Sequence, residues 1–550
     1  MKIALAQLNY TVNHFDLNVH KITEAIAFAK QQGAELVVFS ELAICGYAPQ
    51  DLLTHPDFIE RCIESMGRVA KVCHGIAAIL GGPSYNENPV GKPLFNSAFF
   101  LNDGEIQSIH SKALLPTYDI FDEYRYFEPN GRFHVAELNG KRLAITVCED
   151  VWDDQPPSSG MGRGKLYSTS PMQELAKQSP DIIINVAASP FACGNLSRRL
   201  TVFQGNVKRF GIPLVSVNQV GANTDLVFDG RSLALNGNGT VALTLKGFEE
   251  DIQVIDADDL AKNLRQQKVQ QEDCIPQVHD ALVLGVRDYF NKLGFSKATL
   301  GLSGGIDSAV TLAIAQRALG SENIRVLMLP SQYSSNHSIE DARVLAQNLN
   351  IQYDIVSIED TFNTLRSSLG HIFEGQPENL TEENIQARIR GVMLMALSNK
   401  FGHLLLNTSN KSEAAVGYGT LYGDMCGALS VLGDVYKTQV FELAHYINKN
   451  QEIIPVNSIT KPPSAELRPN QKDSDSLPDY DVLDRILFQY IEEHKSQEEI
   501  IAMGFDGDVV TKTLRMVNIS EYKRFQSAPI LRVSSKAFGS GRRMPLVAKY

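Results

Sequence analysis

Apolar positions along the chain alternate between short continuous runs and longer stretches in which they recur every three or four residues. In the first half the runs at 2–8, 35–40, 76–81, 97–101, 142–147, 182–187 and 214–218 are mostly rich in valine, isoleucine or leucine and predict β-strands. The stretches 17–32, 171–178 and 197–210 carry helical spacing. Strands alternating with helices predict a layered α/β domain over residues 1–257. Residues 258–275 lose the pattern and turn polar and charged, which predicts a linker. From 276 to 550 the order resumes, with strands expected at 298–302, 324–329, 353–358 and 403–407. That alternation predicts a doubly wound parallel sheet, which binds ligands at the carboxyl ends of its strands. Residues 455–480, rich in Pro, Ser and Asp, predict a long surface segment.

Composition narrows the field. The 550 residues suffice for two domains, and 43% hydrophobic with 21% charged residues is ordinary for a globular chain. A net charge of -12 argues against a general nucleic-acid binder, including an RNA-modifying enzyme. No apolar run approaches the ~20 residues of a membrane helix, and residues 1–7 read as a strand rather than a signal peptide. Seven cysteines without paired spacing predict reduced thiols and a cytoplasmic location.

The most chemically explicit stretch follows the strand at 298–302. There Gly301 and Leu302 run into Ser303-Gly304-Gly305-Ile306-Asp307-Ser308, and helical spacing begins at once. A strand, a glycine turn and a helix N-terminus make a phosphate cradle, because the glycines let the backbone approach and the free N–H groups face the anion. Asp307 stands where a carboxylate can hold magnesium against those phosphates. The loop resembles that of the ATP-pyrophosphatase (PP-loop) enzymes, which adenylate a substrate and release pyrophosphate; the lysine of the P-loop is absent. A second polar cluster, Thr408-Ser409-Asn410-Lys411-Ser412-Glu413, follows the strand at 403–407. Read alone it is a helix cap with a solvated charge pair. Beside the first loop, its hydroxyls and Lys411 suit phosphate, and Glu413 supplies a second magnesium carboxylate. Asp424 and Lys437 lie just downstream, the lysine suited to a leaving pyrophosphate.

With Glu383-Asn384-Ile385-Gln386-Ala387-Arg388-Ile389-Arg390 and Gly433 to Lys437, these motifs make residues 276–550 similar to the NAD+ synthetase family, whose synthetase fold is of the adenine nucleotide alpha hydrolase-like kind. The resemblance implies that Thr408 and Arg388 lie near ATP, and that Asn384, Glu413, Asp424 and Lys523 contact deamido-NAD+. It also implies Mg2+ held by Asp307 and Glu413, no tightly bound organic cofactor, and a homo-oligomer formed through this domain.

The first half carries three reactive residues, each just after a β-run: Glu41, Lys112 and Cys148. A thiol must lose its proton to attack an amide; a carboxylate can accept it, and a lysine can stabilise the anions that form. Singly they read as a capping acid, a surface cation and a buried small hydrophobe. Together, with Gly82-Pro83 and Asn96-Ser97-Ala98, they resemble the Glu-Lys-Cys triad of the nitrilase (carbon–nitrogen hydrolase) superfamily, which implies an αββα sandwich. Glu123 resembles that superfamily's second, orienting glutamate. The resemblance further points to Tyr118, Ser189 and a usually basic residue six positions beyond Ser189 as glutamine contacts. Here that residue is Asn195, and Arg198 or Arg199 is expected to substitute for it. The two resemblances jointly imply an enzyme that releases ammonia from glutamine in one domain and uses it in the other to amidate an ATP-adenylated carboxylate. Ammonia becomes ammonium in neutral water, so a protected channel between the two sites is also expected.

Overall fold

A computed structural model describes residues 1–154, 165–269, 273–469 and 471–549. The chain forms two compact units, Met1–Glu272 and Asp273–Tyr550.

In the first unit the strands are β1 (Lys2–Gln7), β2 (Leu36–Val38), β3 (Ala77–Tyr85), β4 (Leu94–Asn102), β5 (Glu105–Ser111), β6 (Ala136–Leu138), β7 (Lys141–Val147), β8 (Ile182–Ala187), β9 (Leu214–Asn218), β10 (Val220–Asn223), β11 (Leu226–Asp229), β12 (Leu233–Leu235), β13 (Val241–Thr244) and β14 (Asp251–Asp256). They form two six-stranded sheets, ordered β14-β1-β2-β3-β4-β5 and β13-β12-β9-β8-β7-β6, and a separate β10-β11 hairpin. Alternation along each strand sorts its side chains between two cores. Ile3 and Leu5 of β1 and Ile182, Ile184 and Val186 of β8 meet in the core between the sheets. Ala4 and Ala6 pack instead against α1 (Phe15–Gln31) and α2 (Pro56–Ala70). Ile183 packs beneath α3 (Pro171–Ala176) and α4 (Asn195–Phe210) on the opposite outer face. The result is an αββα sandwich. Strands buried on both faces explain why the central runs were continuously apolar.

The polar stretch expected to be a linker is largely folded onto this unit. Residues 257–261 form α5 (Ala257–Ala261), with Leu260 fully buried, and Asn236 donates to the Arg265 carbonyl. Only 270–272 of that stretch lie outside the described residues. Helix α6 (Cys274–Leu293) opens the second unit. Of the seven cysteines, Cys45, Cys62, Cys73, Cys148 and Cys426 are free thiols; Cys193 and Cys274 are not, which corrects the expectation of a fully reduced set.

The second unit is built on one sheet ordered β17-β16-β15-β18-β19, from β15 (Ala298–Gly301), β16 (Ile324–Met328), β17 (Gln352–Ile355), β18 (Leu404–Asn407) and β19 (Leu429–Ser430). Every pairing in it is parallel. The chain winds outward from β15 to β17, then returns to β18 on the other side of β15. Strands β15 and β18 therefore flank the point where winding reverses, and the loops after them face one crevice. Helices α7 (Ile306–Leu319), α8 (Asn336–Asn348), α9 (Glu359–Leu369), α10 (Leu380–Phe401), α11 (Lys411–Val416), α12 (Lys437–Ile447), α13 (Val456–Thr460) and α14 (Tyr480–Ile491) surround this sheet. Among the described residues no helix is long and apolar enough to cross a membrane.

Candidate active sites

In the first unit three strand ends converge. Glu41 follows β2, Lys112 follows β5 and Cys148 follows β7. Lys112 and Glu41 are fully buried, and Glu123 nearly so. The Lys112 ammonium donates to Glu41 Oε1 at 2.7 Å and to Glu123 Oε1 and Oε2 at 2.9 and 2.8 Å. Burial opposes the lysine's charge, but the Glu123 and Glu41 carboxylates outweigh it and hold Lys112 well above the ordinary lysine value. Asn96 bridges the two acids, 2.7 Å to Glu41 and 3.3 Å to Glu123, while Tyr47 Oη donates to Glu123 and the Ala188 N–H to Glu41 Oε2. A buried ion cluster tolerates its desolvation only when its lone pairs are met in this way. Burial pushes Glu123 upward, so it works as a hydrogen-bonded anchor for the lysine.

Cys148 adopts a left-handed backbone, φ 42°, at the turn from β7 into a short 3-10 helix, Cys148–Trp152. Such strain at a nucleophile lifts its side chain out of the strand. Burial, reinforced by the Glu41 charge, drives the thiol well above its ordinary value, and Lys112 only partly offsets this. The resting group is a neutral thiol that needs a base, and Glu41 is the carboxylate it feels most strongly. Asp150, fully enclosed, accepts the N–H groups of Ala113, Leu114 and Val147 at 2.9, 3.0 and 3.1 Å. It thus ties the backbone after Lys112 to the backbone before Cys148.

Cys148, Trp152 and Ser189 line one small cavity. Tyr118 Oη reaches Glu149 Oε1 at 2.8 Å, as does Tyr167 at 3.0 Å. Asn195 is absent from the lining; its amide donates to the Pro190 carbonyl at 3.0 Å. Arg199 lines the cavity wall but is bound to Asp229 and to the Gly230 carbonyl. Glu149, Asp150 and Tyr167 escaped the reading of the chain, although the first two are in the same Cys-Glu-Asp triplet as the nucleophile.

In the second unit a cavity of about 310 Å³ opens at the winding reversal. Gly301, Leu302, Ser303, Gly305, Ile306, Asp307, Ser308 and Thr408 line it; Gly304 does not. At φ 77°, Gly304 turns the loop with its α-carbon against α8, where a Cβ would stand 2.1 Å from the Ser338 carbonyl oxygen. Ser303 and Ser308 close the turn across 3.2 Å, leaving the α7 N-terminus facing the cavity. Opposite, Asn410 caps α11 by accepting the Glu413 N–H at 2.9 Å and also donates to Asp307 at 2.8 Å. The helix-cap and ligand-site readings of this cluster therefore coexist. Lys437 spans the two acids, 2.5 Å from Asp307 and 3.4 Å from Glu413. Burial and the Asp307 charge push Glu413 up to about 8, while Asp307 and Glu413, overcoming burial, hold Lys437 above its ordinary value.

Two carboxylates open to a cavity suit a magnesium ion that takes its other ligands from phosphate and water. Among the described residues no group of three or more His, Cys, Asp or Glu side chains forms a metal site by itself.

Lys411 departs from its expected role. It is buried on the far side of α11, 2.9 Å from Asp434 and 2.8 Å from Glu492. Arg388 is exposed and donates to the Leu421 carbonyl, whereas Arg390 lines the cavity. Two residues apart on a helix, the pair cannot face one way. Asp424 lines the cavity and accepts the Thr420 N–H at 2.6 Å. Asn384 and Lys523 lie outside the lining: Asn384 accepts from Thr420 Oγ, and Lys523 donates to the Gly417 and Gly419 carbonyls. All three grip the loop between Gly417 and Asp424. The segment expected on the surface instead contributes Lys461 to Leu467 to the cavity wall.

The comparisons match this division of the chain. The carbon–nitrogen hydrolase family model covers residues 2–266 and the NAD synthase model residues 278–527. A glutamine-dependent NAD(+) synthetase from Synechocystis is 46% identical over 100% of this chain and 99% of its own length. The chain belongs to the glutamine-dependent NAD(+) synthetase family. Another member, from Acinetobacter baylyi, is 42% identical over 99% of this chain and 98% of its own. A solved family member from Acinetobacter baumannii, in complex with adenosine diphosphate, shares 38% identity and superposes with a TM-score of 0.77, covering 99% of this chain and 98% of that one. The family's two-part organisation thus runs the full length of the chain.

Proposed function

We infer that the chain hydrolyses glutamine to glutamate and ammonia, and amidates deamido-NAD+ to NAD+ as ATP becomes AMP and pyrophosphate. The observation that carries this is the presence, in one chain, of a base-dependent thiol beside a buried Glu-Lys-Glu cluster and of a phosphate-cradling loop beside two carboxylates and a lysine.

Glu41 takes the Cys148 proton as sulfur attacks the carboxamide carbon. The collapsing intermediate expels ammonia, with the proton returned, and leaves a thioester. Water, deprotonated by Glu41, releases glutamate and restores the thiol. Lys112 stabilises the charge that develops on oxygen, its direction fixed by Glu123. Tyr118 and Ser189 shape the glutamine pocket, and buried Glu149 offers a counter-charge for the substrate's α-ammonium. In the second unit the loop from Gly301 to Ser308, with Thr408, holds ATP. Asn384, Glu413, Asp424 and Lys523 form the deamido-NAD+ side, the outer two acting through the 417–424 loop. The nicotinate carboxylate displaces pyrophosphate, which Lys437 neutralises, and ammonia then displaces AMP. Asp307 and Glu413 would hold Mg2+, which supplies charge neutralisation on the phosphates.

A cytoplasmic location fits the nucleotide substrates. A homo-oligomer formed through the second unit fits the apolar face that α10 leaves uncovered, where Val392 is 69% exposed and Met395 lies one turn on. The test uses purified protein, deamido-NAD+, ATP and Mg2+ with either glutamine or ammonium. Cys148→Ala is expected to abolish the glutamine reaction and spare the ammonium one; loss of both refutes the division of labour. Full equilibration of labelled ammonium from the medium with the nitrogen passing to NAD+ would refute a protected ammonia path.

A further inference from the structure

Glutamine carries an α-carboxylate, and a pocket that selects it needs a cation for that group. Among the described residues, the cations around the first site are mostly committed. Lys112 spends all three ammonium protons on Glu41 and Glu123. Arg199 is bound to Asp229, Arg231 stands 3.8 Å from the same carboxylate, and Lys165 pairs with Asp154 at 2.5 Å. Asn195, the first residue of α4, is neutral and donates its amide to the Pro190 carbonyl.

Arg198 sits three residues further along α4, one turn on and on the same side as position 195. Its guanidinium carbon lies 5.5 Å from the ring centroid of Trp152, a wall of the cavity that holds Cys148 and Ser189. Its charge reaches Glu149, the buried acid beside the nucleophile, and counters the upward push of burial there. Neither Arg198 nor Glu149 is itself part of that lining; the cation lies against its Trp152 wall and the anion follows Cys148 in the chain, and the pair matches the two charges that an α-amino acid presents. Stacking on an indole also restrains a long side chain before substrate arrives, which lowers the ordering cost of binding.

We propose that Arg198 is the specificity-determining residue that binds the α-carboxylate of glutamine, in place of a cation at position 195. The proposal rests on the glutaminase reading above and sharpens it to the recognition of one end of one substrate.

The test compares glutamine with 4-aminobutanamide, which is glutamine without its α-carboxylate, using the full chain. Ammonia release by the wild-type protein from glutamine is measured first; its absence would refute the glutaminase reading itself. Arg198→Gln is then expected to lower kcat/KM for glutamine about 10- to 100-fold, chiefly through KM, the size expected for loss of a charged hydrogen bond. Its kcat/KM for 4-aminobutanamide should stay within about threefold of wild type, so that discrimination collapses. Arg198→Lys should recover part of the discrimination. Because Arg198 is exposed, both variants should melt with the wild type. Equal losses on both amides, or an unchanged preference for glutamine, would overturn the proposal.

Discussion

Asp150 offers a sharp test because two opposing terms of similar size meet there. Its carboxylate is buried, which pushes it up to about 6 despite the N–H groups of Leu114, Val147 and Ala113. Against an ordinary value of 3.8, that rise corresponds to roughly 3 kcal/mol spent holding the charge. Asp150→Asn removes the charge but turns an amide NH2 toward one of the three donors. The Val147 N–H lies furthest of the three, at 3.1 Å, and is the one expected to lose its partner, at a cost of about 1–3 kcal/mol. The terms nearly cancel, so stability at pH 7.5 should change by less than about 2 kcal/mol. The geometry does not cancel: the backbone on either side of the catalytic pair loses its tie, and a shift near 1 Å can cost about 100-fold. Ammonia release from glutamine should therefore fall at least about tenfold with little change in melting temperature. The pH dependence carries a sign of its own. The folded state binds the extra proton between about pH 4 and pH 6, so wild-type stability declines as pH rises through that window, and the Asn variant should lack this component. Urea unfolding from pH 4 to 8, paired with glutaminase assays, reads both effects. A stability loss above about 4 kcal/mol, or full glutaminase activity, would refute the reasoning.

Lys411→Met should strand the buried Asp434 and Glu492, costing about 3–5 kcal/mol, and lower the melting temperature of the second unit while leaving the KM for ATP at 20 °C unchanged; a raised KM would reinstate a phosphate role. Gly304→Ala should abolish synthesis from either nitrogen source and weaken ATP binding measured by calorimetry, since its Cβ meets the Ser338 carbonyl and φ is 77°; normal affinity would count against the tight loop. His110, buried and stacked at 4.3 Å on His134, is held down to about 3 by burial and that neighbour. The unfolded chain takes up the proton first, so stability is lost as pH falls below about 6.5, by about 2 kcal/mol at pH 5. His110→Gln should flatten this part of the profile in denaturant titrations; an unchanged slope would place the acid sensitivity elsewhere.

What could be read in the chain was what is local. The loop from Ser303 to Ser308 announces itself because strand, turn and helix N-terminus are contiguous. Cys148 became visible only in company with Glu41 and Lys112, through resemblance. Lys411 was misjudged because a six-residue helix gives no clue to which side faces the crevice: its first residue points into the core and its third toward Asp307. Arg388 was named through the resemblance, and on the long helix α10 it is Arg390, two residues on, that turns to the cavity. Asp150 and the wall from Lys461 to Leu467 were missed because their meaning lies in partners far along the chain. The polar stretch after residue 257 looked like a linker because it adds no strand, although Leu260 anchors it.

Strand β1 pairs with β14 in antiparallel register from Lys2–Asp256 to Gln7–Asp251, and the Met1 ammonium meets Asp256 and Asp258. Strand β1 thus waits for the last strand of its unit. At roughly 5–20 residues per second, a ribosome would leave that edge of β1 unpaired for roughly 12–50 s. During synthesis the nascent chain therefore carries an apolar strand with one open edge, a template for pairing with a neighbour on the same message. Until β14 arrives that edge stays open, and a stop or slow codon before residue 251 should yield aggregation-prone fragments even though Glu41, Lys112 and Cys148 have already been made.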